Sequence, residues 1–140
     1  MINESLHQLK NSLVEQGVRY CLPSYVDIHG VSKSKFVPIT HFDRMMNGSE
    51  LCTGAALDGI PQDVSDEEVS SHPDPESVII LPWKKDVAWF ASDLWCEGEP
   101  FEPCSRNIFK AVLAQAADMG YTFNFGIEPE FFLLKHTDDG

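Results

Sequence analysis

Positive charge is what this sequence lacks most. Ten lysines and arginines stand against 22 aspartates and glutamates, so the net charge is −12 over 140 residues. A chain this acidic does not present the basic surface by which proteins bind DNA, RNA or anionic membranes. We therefore expect neither nucleic acid nor membrane among its partners. Because no apolar run approaches the ~20 residues of a membrane span, a cytoplasmic location is the expectation.

Patterns typical of disulfides and of histidine metal sites are also missing. The four cysteines form no CxxC pair, and the five histidines show no HxH or HExxH spacing. With few cysteines and no signal-peptide pattern, reduced thiols are the expectation.

Hydrophobic spacing and turn residues predict a chain of mixed α and β structure that opens with a helix. Glycines suited to positive φ angles are expected to end the helices, and short polar residues to cap them. The predicted elements are a helix over 3–16, strands over 18–26 and 31–37, a short helix over 40–47, strands over 77–81 and 87–95, and a helix over 105–119. The predicted caps are Asn3, Thr40 and Ser105, the predicted ends are Gly17, Gly48 and Gly120, and the predicted buried side of the last helix holds Ile108, Val112 and Ala116.

Residues 49–75 form a long stretch with little periodicity. Segments of this length without regular structure are usually functional or disordered loops. The stretch contains an acidic cluster, made of Asp63, Asp66, Glu67 and Glu68.

Two glutamates stand close together in an apolar run near residue 130. Residues 121–127 and 130–135 are strand-like, and in an extended strand Glu128 and Glu130 point to the same face, roughly 6.5–7 Å apart. A buried pair of like charges is costly unless a cation neutralises it, and divalent cations prefer oxygen ligands. The alternative is an exposed edge strand with two solvated glutamates. We favour the buried metal pair, because residues 131–134 are all large and apolar.

Several short motifs follow one another in an order typical of one enzyme family. They are Asp27-Ile28-His29-Gly30 with Lys33 and Lys35, Ser65-Asp66, Pro73-Asp74, Pro82-Trp83, Ser105-Arg106, and Gly126-Ile127-Glu128-Pro129-Glu130-Phe131-Phe132. In this order they resemble the N-terminal part of the glutamine synthetase family. The resemblance covers nearly the whole chain, and the last motif is its most specific part.

The resemblance implies an α+β fold in two parts. Residues 1–103 would form a β-grasp-like N-terminal domain, a small sheet crossed by a helix. Residues 104–140 would supply the first helix and strands of a larger catalytic domain of the glutamine synthetase type.

The resemblance also implies a reaction. ATP as co-substrate phosphorylates the γ-carboxylate of glutamate, and an amine then displaces the phosphate. Such chemistry is supported by Mg²⁺ or Mn²⁺, and by position Glu128 would bind one metal ion and Glu130 the other. Family members are homo-oligomeric rings in which the long N-terminal loop completes the active site of the neighbouring subunit.

One motif departs from the family pattern. Ammonium-using members carry Phe-Asp-Gly-Ser-Ser in the long loop, where this chain reads Cys52-Thr53-Gly54-Ala55-Ala56. Thr53 replaces an aspartate that helps to deprotonate ammonium, and a hydroxyl accepts a proton less readily. The change favours an alkylamine such as methylamine, and the chain resembles most the branch containing γ-glutamylmethylamide synthetases.

The alternative is that another loop carboxylate supplies the missing charge. The candidates are Asp58, Asp63 and Asp66, of which we favour Asp66 because Ser65-Asp66 matches the family. Thr53 and Asp66 are therefore the candidate catalytic residues, although Ser65-Asp66 is also typical of a simple turn.

Length sets a further expectation. The family's other metal ligands and its nucleotide site lie beyond residue 140, so these residues are expected to be inactive alone, as part of a longer ligase. The competing hypothesis is a stand-alone β-grasp binding or regulatory module.

Arg106 begins the last predicted helix. An acidic partner across a domain junction competes there with simple solvation of the side chain.

Overall fold

A ten-residue strand, β7 (Val87–Cys96), organises the sheet. In this computed structural model, which describes residues 4–137, the first half of β7 pairs in parallel with β1 (Tyr20–Val26) and antiparallel with β6 (Ile79–Ile80). The second half pairs antiparallel with β5 (Val69–Pro73) and with β8 (Glu99–Pro100). The sheet is therefore mixed, and β7 joins its two sides.

Short strands complete the two sides of the sheet. On one side, β2 (Ser32–Ser34) and β3 (Val37–Pro38) pair with β1. On the other side, β4 (Glu50–Cys52) pairs antiparallel with β5. The main strand order is β2-β1-β7-β5-β4. This confirms the predicted combination of helices with a sheet.

Helices α1 (Glu4–Glu15) and α2 (Phe42–Met46) cover the β1 side of the sheet. One apolar core lies there and includes Phe42, Met45 and Phe90, all fully buried. A second, smaller core lies under the other half of β7; it consists of Tyr25, Val69, Leu94 and Cys104. Helix α3 (Ser105–Asp118) follows β8 and contacts β7 and β1.

Glycine ends the predicted helices as expected. Gly17, Gly48 and Gly120 all have positive φ angles, between 78° and 85°. At Gly48 the space is also restricted, since a Cβ atom would overlap the ring of His72. The turn between β1 and β2 likewise contains Gly30 at φ 77°, and its amide donates to the Asp27 carbonyl.

Two of the predicted caps are wrong. A 3-10 turn over Ile39–His41 precedes α2, so His41 rather than Thr40 occupies the cap position. Cys104 occupies the cap position of α3, because the Ser105 hydroxyl donates instead to the Val26 carbonyl oxygen at 3.1 Å. The predicted cap Asn3 lies outside the described residues.

The stretch 49–75 is more ordered than its sequence predicts. It contains β4, β5 and a 3-10 turn over Gly54–Ala56. The irregular part is confined to residues 57–68, which connect the two strands.

The strands predicted within residues 121–135 are absent. None of these residues pairs with a strand of the described chain. Phe125 instead packs edge-on against Phe109 of α3, with ring centroids 5.5 Å apart. Ile108 and Val112 are half-exposed, and Ala116 is the only one of the three predicted core residues of α3 that is buried.

Within residues 4–137, no helix combines the length and the apolar character that crossing a membrane requires.

Candidate functional site

Glu128 and Glu130 are both exposed, on the segment that follows α3. The expected apolar cover is absent from the described chain, since the four side chains from Phe131 to Leu134 are 82–93 % exposed. The expectation of a buried strand is therefore wrong for the described residues. Both glutamates remain accessible.

The carboxylates of Glu128 and Glu130 are suitable ligands for a divalent cation, but two carboxylates are too few to complete its coordination. Carboxylate oxygens are the ligands that Mg²⁺ and Mn²⁺ prefer, and these ions take about six ligands. Residues 4–137 contain no cluster of three or more acidic, histidine or cysteine side chains that could hold a metal ion. Glu128 and Glu130 alone do not form a complete metal site.

The loop between β4 and β5 brings Thr53 beside a carboxylate that sequence reasoning did not single out. The antiparallel register pairs Cys52 with Val69, so the next residues outward are Thr53 and Glu68. The Thr53 hydroxyl donates to Oε1 of Glu68 at 3.3 Å. The signal available in the sequence was Glu68 in the acidic cluster, but its pairing with Thr53 depends on the strand register.

The Asp66 side chain stabilises a turn. Its carboxylate accepts the backbone N–H of Asp63 at 2.8 Å, and its own N–H donates to the Asp63 carbonyl at 3.0 Å. This is the turn-forming role that the sequence offered as the alternative for Ser65-Asp66. The structure does not bring Asp66 into hydrogen-bond contact with Thr53.

The same loop is docked on the turn between β1 and β2. His29 Nε2 lies 2.5 Å from Oδ2 of Asp58. Gly59 has a φ angle of 78°, which favours glycine, and a Cβ atom there would require the Ile28 side chain to move. The hydrogen bond and charge of Asp58 raise the pKa of His29 above 6.5. The pair connects the first family motif to the long loop.

We expect the pKa of His29 to fall toward its ordinary value of 6.5 in an Asp58→Asn variant. With the pKa of His29 raised and that of Asp58 lowered below 3.8 by the same contact, the ion pair is formed between pH 3.8 and 6.5 and is lost as the pH rises through the folded-state pKa of His29. An NMR pH titration of the imidazole measures this shift. Asp63→Asn, on the same loop, is the matched control and leaves the His29 titration unchanged. A His29 pKa at or below 6.5 in the parent protein contradicts the ion pair.

The Cys52 thiol, next to Thr53, is not activated as a nucleophile. Burial is the main cause of a raised pKa at Cys52, and it outweighs the opposing effect of Lys35. A thiol with a raised pKa stays protonated and is a poor nucleophile. The four cysteines are free, as expected from the sequence.

Of the two alternatives given for Arg106, acidic partners and simple solvation, the structure shows the first. Its Nε donates to Oδ1 of Asp93 at 2.8 Å, and its Nη2 forms an ion pair with Asp74. Lys110, one turn further along α3, also pairs with Asp93. The first turns of α3 are thus fastened to β7 and to the residue that follows β5.

Comparison with known proteins shows which sequences this chain resembles. Residues 102–140 match the family model described as glutamine synthetase, catalytic domain. The glutamine synthetase of Rhizobium meliloti (strain 1021) is 38% identical over 123 residues, and that of Staphylococcus epidermidis is 34% identical over 131 residues. Over most of its own length the chain is similar to members of the glutamine synthetase family.

Solved structures of GmaS extend the comparison to the fold. A structure titled as a GmaS/ADP complex and one of GmaS without ligand both superpose with a TM-score of 0.75 at 36% identity. Each match covers 79% of this chain and 26% of the GmaS chain. The two curated glutamine synthetases are covered to 28% and 29% of their lengths, against 86% and 90% of this chain. The chain therefore spans less than a third of these relatives.

Proposed function

We propose that this chain is the N-terminal segment of an ATP-dependent glutamate–amine ligase. The ligase forms a γ-glutamyl amide through γ-glutamyl phosphate, with ammonium or methylamine as acceptor. In this proposal residues 1–103 are the β-grasp-like domain and residues 104–140 begin the catalytic domain. The observation that carries it is the match of residues 102–140 to the catalytic-domain family model, since this segment contains the motif with Glu128 and Glu130.

The proposed metal ligands are the two exposed glutamates. Glu128 and Glu130 each contribute a carboxylate to bound Mg²⁺ or Mn²⁺, and residues outside 4–137 supply the remaining ligands. When bound, these ions neutralise phosphate charge and lower the barrier to phosphoryl transfer. The accessibility of both side chains supports this assignment.

The proposed amine site lies on the loop between β4 and β5. Ala55 and Ala56 stand where ammonium-using relatives carry two hydroxyls, and methyl groups suit an alkyl substituent better than hydroxyls do. We therefore propose methylamine as the preferred acceptor. In a homo-oligomeric ring, this exposed loop would reach the catalytic domain of a neighbouring subunit.

Phosphate release by the full-length protein tests the proposal. The reaction contains ATP, glutamate, Mg²⁺ or Mn²⁺, and either ammonium or methylamine, and mass spectrometry identifies the amide. We expect faster release with methylamine, and no release from residues 1–140 alone, because two carboxylates leave the metal site incomplete. A preference for ammonium would refute the alkylamine assignment, and turnover by the isolated 140 residues would refute the need for further chain.

A further inference from the structure

The two end strands of the sheet approach each other. Strands β2 and β4 stand at opposite ends of the order β2-β1-β7-β5-β4. Nevertheless, the ammonium group of Lys35, which directly follows β2, donates to the Leu51 carbonyl oxygen in β4. Because one lysine side chain connects the two ends, the sheet must curl, and a cavity of about 90 Å³ lies between them.

The strand registers determine which side chains line this cavity. Tyr25 pairs with Lys33 across β1 and β2, and Ser71 pairs with Glu50 across β5 and β4. The side chains of such pairs point to the same side of a sheet, and residues two apart along a strand share a face. All four residues line the cavity, together with Lys35, two residues beyond Lys33.

The Ser71 hydroxyl has no hydrogen-bond partner within residues 4–137. Ser71 is only 4 % exposed, so bulk water does not solvate this group. Leaving a buried hydroxyl unpaired is unfavourable, because the hydroxyl loses its hydrogen bonds to water. A ligand that accepts a hydrogen bond inside the cavity is therefore stabilised by Ser71.

Two lysines add hydrogen-bond donors to the same lining. Each ammonium group carries three N–H donors. Lys33 forms an ion pair with Asp27 at 3.3 Å, and Lys35 uses one donor on the Leu51 carbonyl oxygen. Each lysine therefore retains donors for a further acceptor.

The other titratable groups of the lining oppose this positive charge only in part. Burial is the main cause of the raised pKa values of Tyr25 and Cys52, so both side chains stay protonated and uncharged at neutral pH. Glu50 is the acidic residue of the lining, and its carboxylate already accepts a hydrogen bond from the Ser49 hydroxyl at 3.1 Å. An anion in the cavity is thus attracted by Lys35 and Lys33 and repelled by Glu50.

We propose that this cavity binds a small oxyanion, either a short carboxylate or inorganic phosphate, between Lys35, Lys33 and the hydroxyl of Ser71. Oxyanions accept several hydrogen bonds at once, and those donated by ammonium groups are strong. The volume of about 90 Å³ is that of roughly three water molecules in the liquid, so the cavity admits acetate or phosphate and excludes a nucleotide. The assignment holds whatever reaction the full-length protein catalyses.

NMR titration of the full-length protein tests the site with two probes, sodium acetate and inorganic phosphate, at an ionic strength held constant with chloride. Lys35→Met removes the charge but keeps most of the side-chain volume, so the Kd is expected to rise at least about tenfold. Lys84→Met is the matched control, because Lys84 pairs with Asp86 in a turn and does not line the cavity. Binding elsewhere on the protein is common to both variants, so the difference between them reports on the cavity.

Further variants separate the roles of the hydroxyl and the carboxylate. Ser71→Ala loses one hydrogen bond, and its Kd is expected to rise about threefold or more. Glu50→Gln removes a repelling charge, and its Kd is expected to fall about fivefold, a gain that misfolding cannot produce. Lys35→Arg keeps the charge and is expected to stay within about threefold of the parent, even where Lys35→Met proves unstable.

The two probes distinguish the sources of the oxyanion. Lys35-dependent binding of acetate assigns the site to carboxylates, and Lys35-dependent binding of phosphate assigns it to the inorganic ion. Equal affinities in the parent and Lys35→Met, or no binding of either probe to the parent, overturn the proposal. Weaker binding in Glu50→Gln also overturns it, because the ligand would then donate to Glu50 instead of being repelled by it.

Discussion

Replacing Phe90 with alanine is expected to lower the free energy of unfolding by about 3–5 kcal/mol. Phe90 is fully buried near the middle of β7 and packs edge-on against Phe42, with ring centroids 6.1 Å apart. Truncation removes this aromatic contact and leaves a cavity between the sheet and α2. Because domains of this size are stable by about 5–15 kcal/mol, the variant is expected to be partly unfolded or close to it. Urea unfolding followed by circular dichroism measures the loss.

Phe36→Ala is the matched control for Phe90→Ala. Phe36 also packs edge-on against an aromatic ring, that of Tyr20 at 6.0 Å, but it is 58 % exposed. Its removal is expected to cost less than about 1 kcal/mol. Equal urea midpoints for the two variants would contradict the position of Phe90 in the core.

The helices were predictable because their signals are local. Leu6, Leu9 and Leu13 recur at helical spacing in α1, and Gly17 ends it with a positive φ angle. The end of α3 at Gly120 follows the same rule. Each of these signals depends only on residues within about two turns of one another, so no knowledge of the tertiary fold is required.

Strands β4 and β5 were missed because their inward positions are unusual. In β5 the buried residues are Val69, Ser71 and Pro73, so a serine and a proline occupy positions where an apolar alternation is expected. Strand β4 has only three residues and is partly exposed. Such strands are defined by their pairing within the sheet, which is not visible in a short stretch of sequence.

The candidate site shows the same division between local and tertiary information. Thr53 could be singled out from a motif, but its neighbour Glu68 is 15 residues away and is placed by the register of β4 and β5. The opposite error occurred at residues 121–135, where strand-like sequence forms no strand. A strand requires a partner for its backbone hydrogen bonds, and residues 4–137 provide none there.

The ion-pair cluster at the start of α3 gives the second large effect. We expect Arg106→Ala to lower the free energy of unfolding by about 2–3 kcal/mol, between the values for exposed and for fully buried pairs. Arg106 uses two nitrogens to bind Asp93 and Asp74, and the three side chains are only 18–33 % exposed. Removing the arginine leaves both carboxylates half-buried without their main partner, and Lys110 then remains for Asp93 alone.

Lys84→Ala separates this effect from the loss of an ordinary surface charge. Lys84 pairs with Asp86 at 3.2 Å but is 49 % exposed, so its removal is expected to cost less than about 1 kcal/mol. Arg106→Lys should fall between the two, because lysine keeps the charge but cannot present two nitrogens to two carboxylates. Urea unfolding of the three variants ranks them, and equal losses for Arg106→Ala and Lys84→Ala would contradict the cluster. Because α3 leads directly to the segment with Glu128 and Glu130, the same cluster orients the start of the proposed catalytic domain.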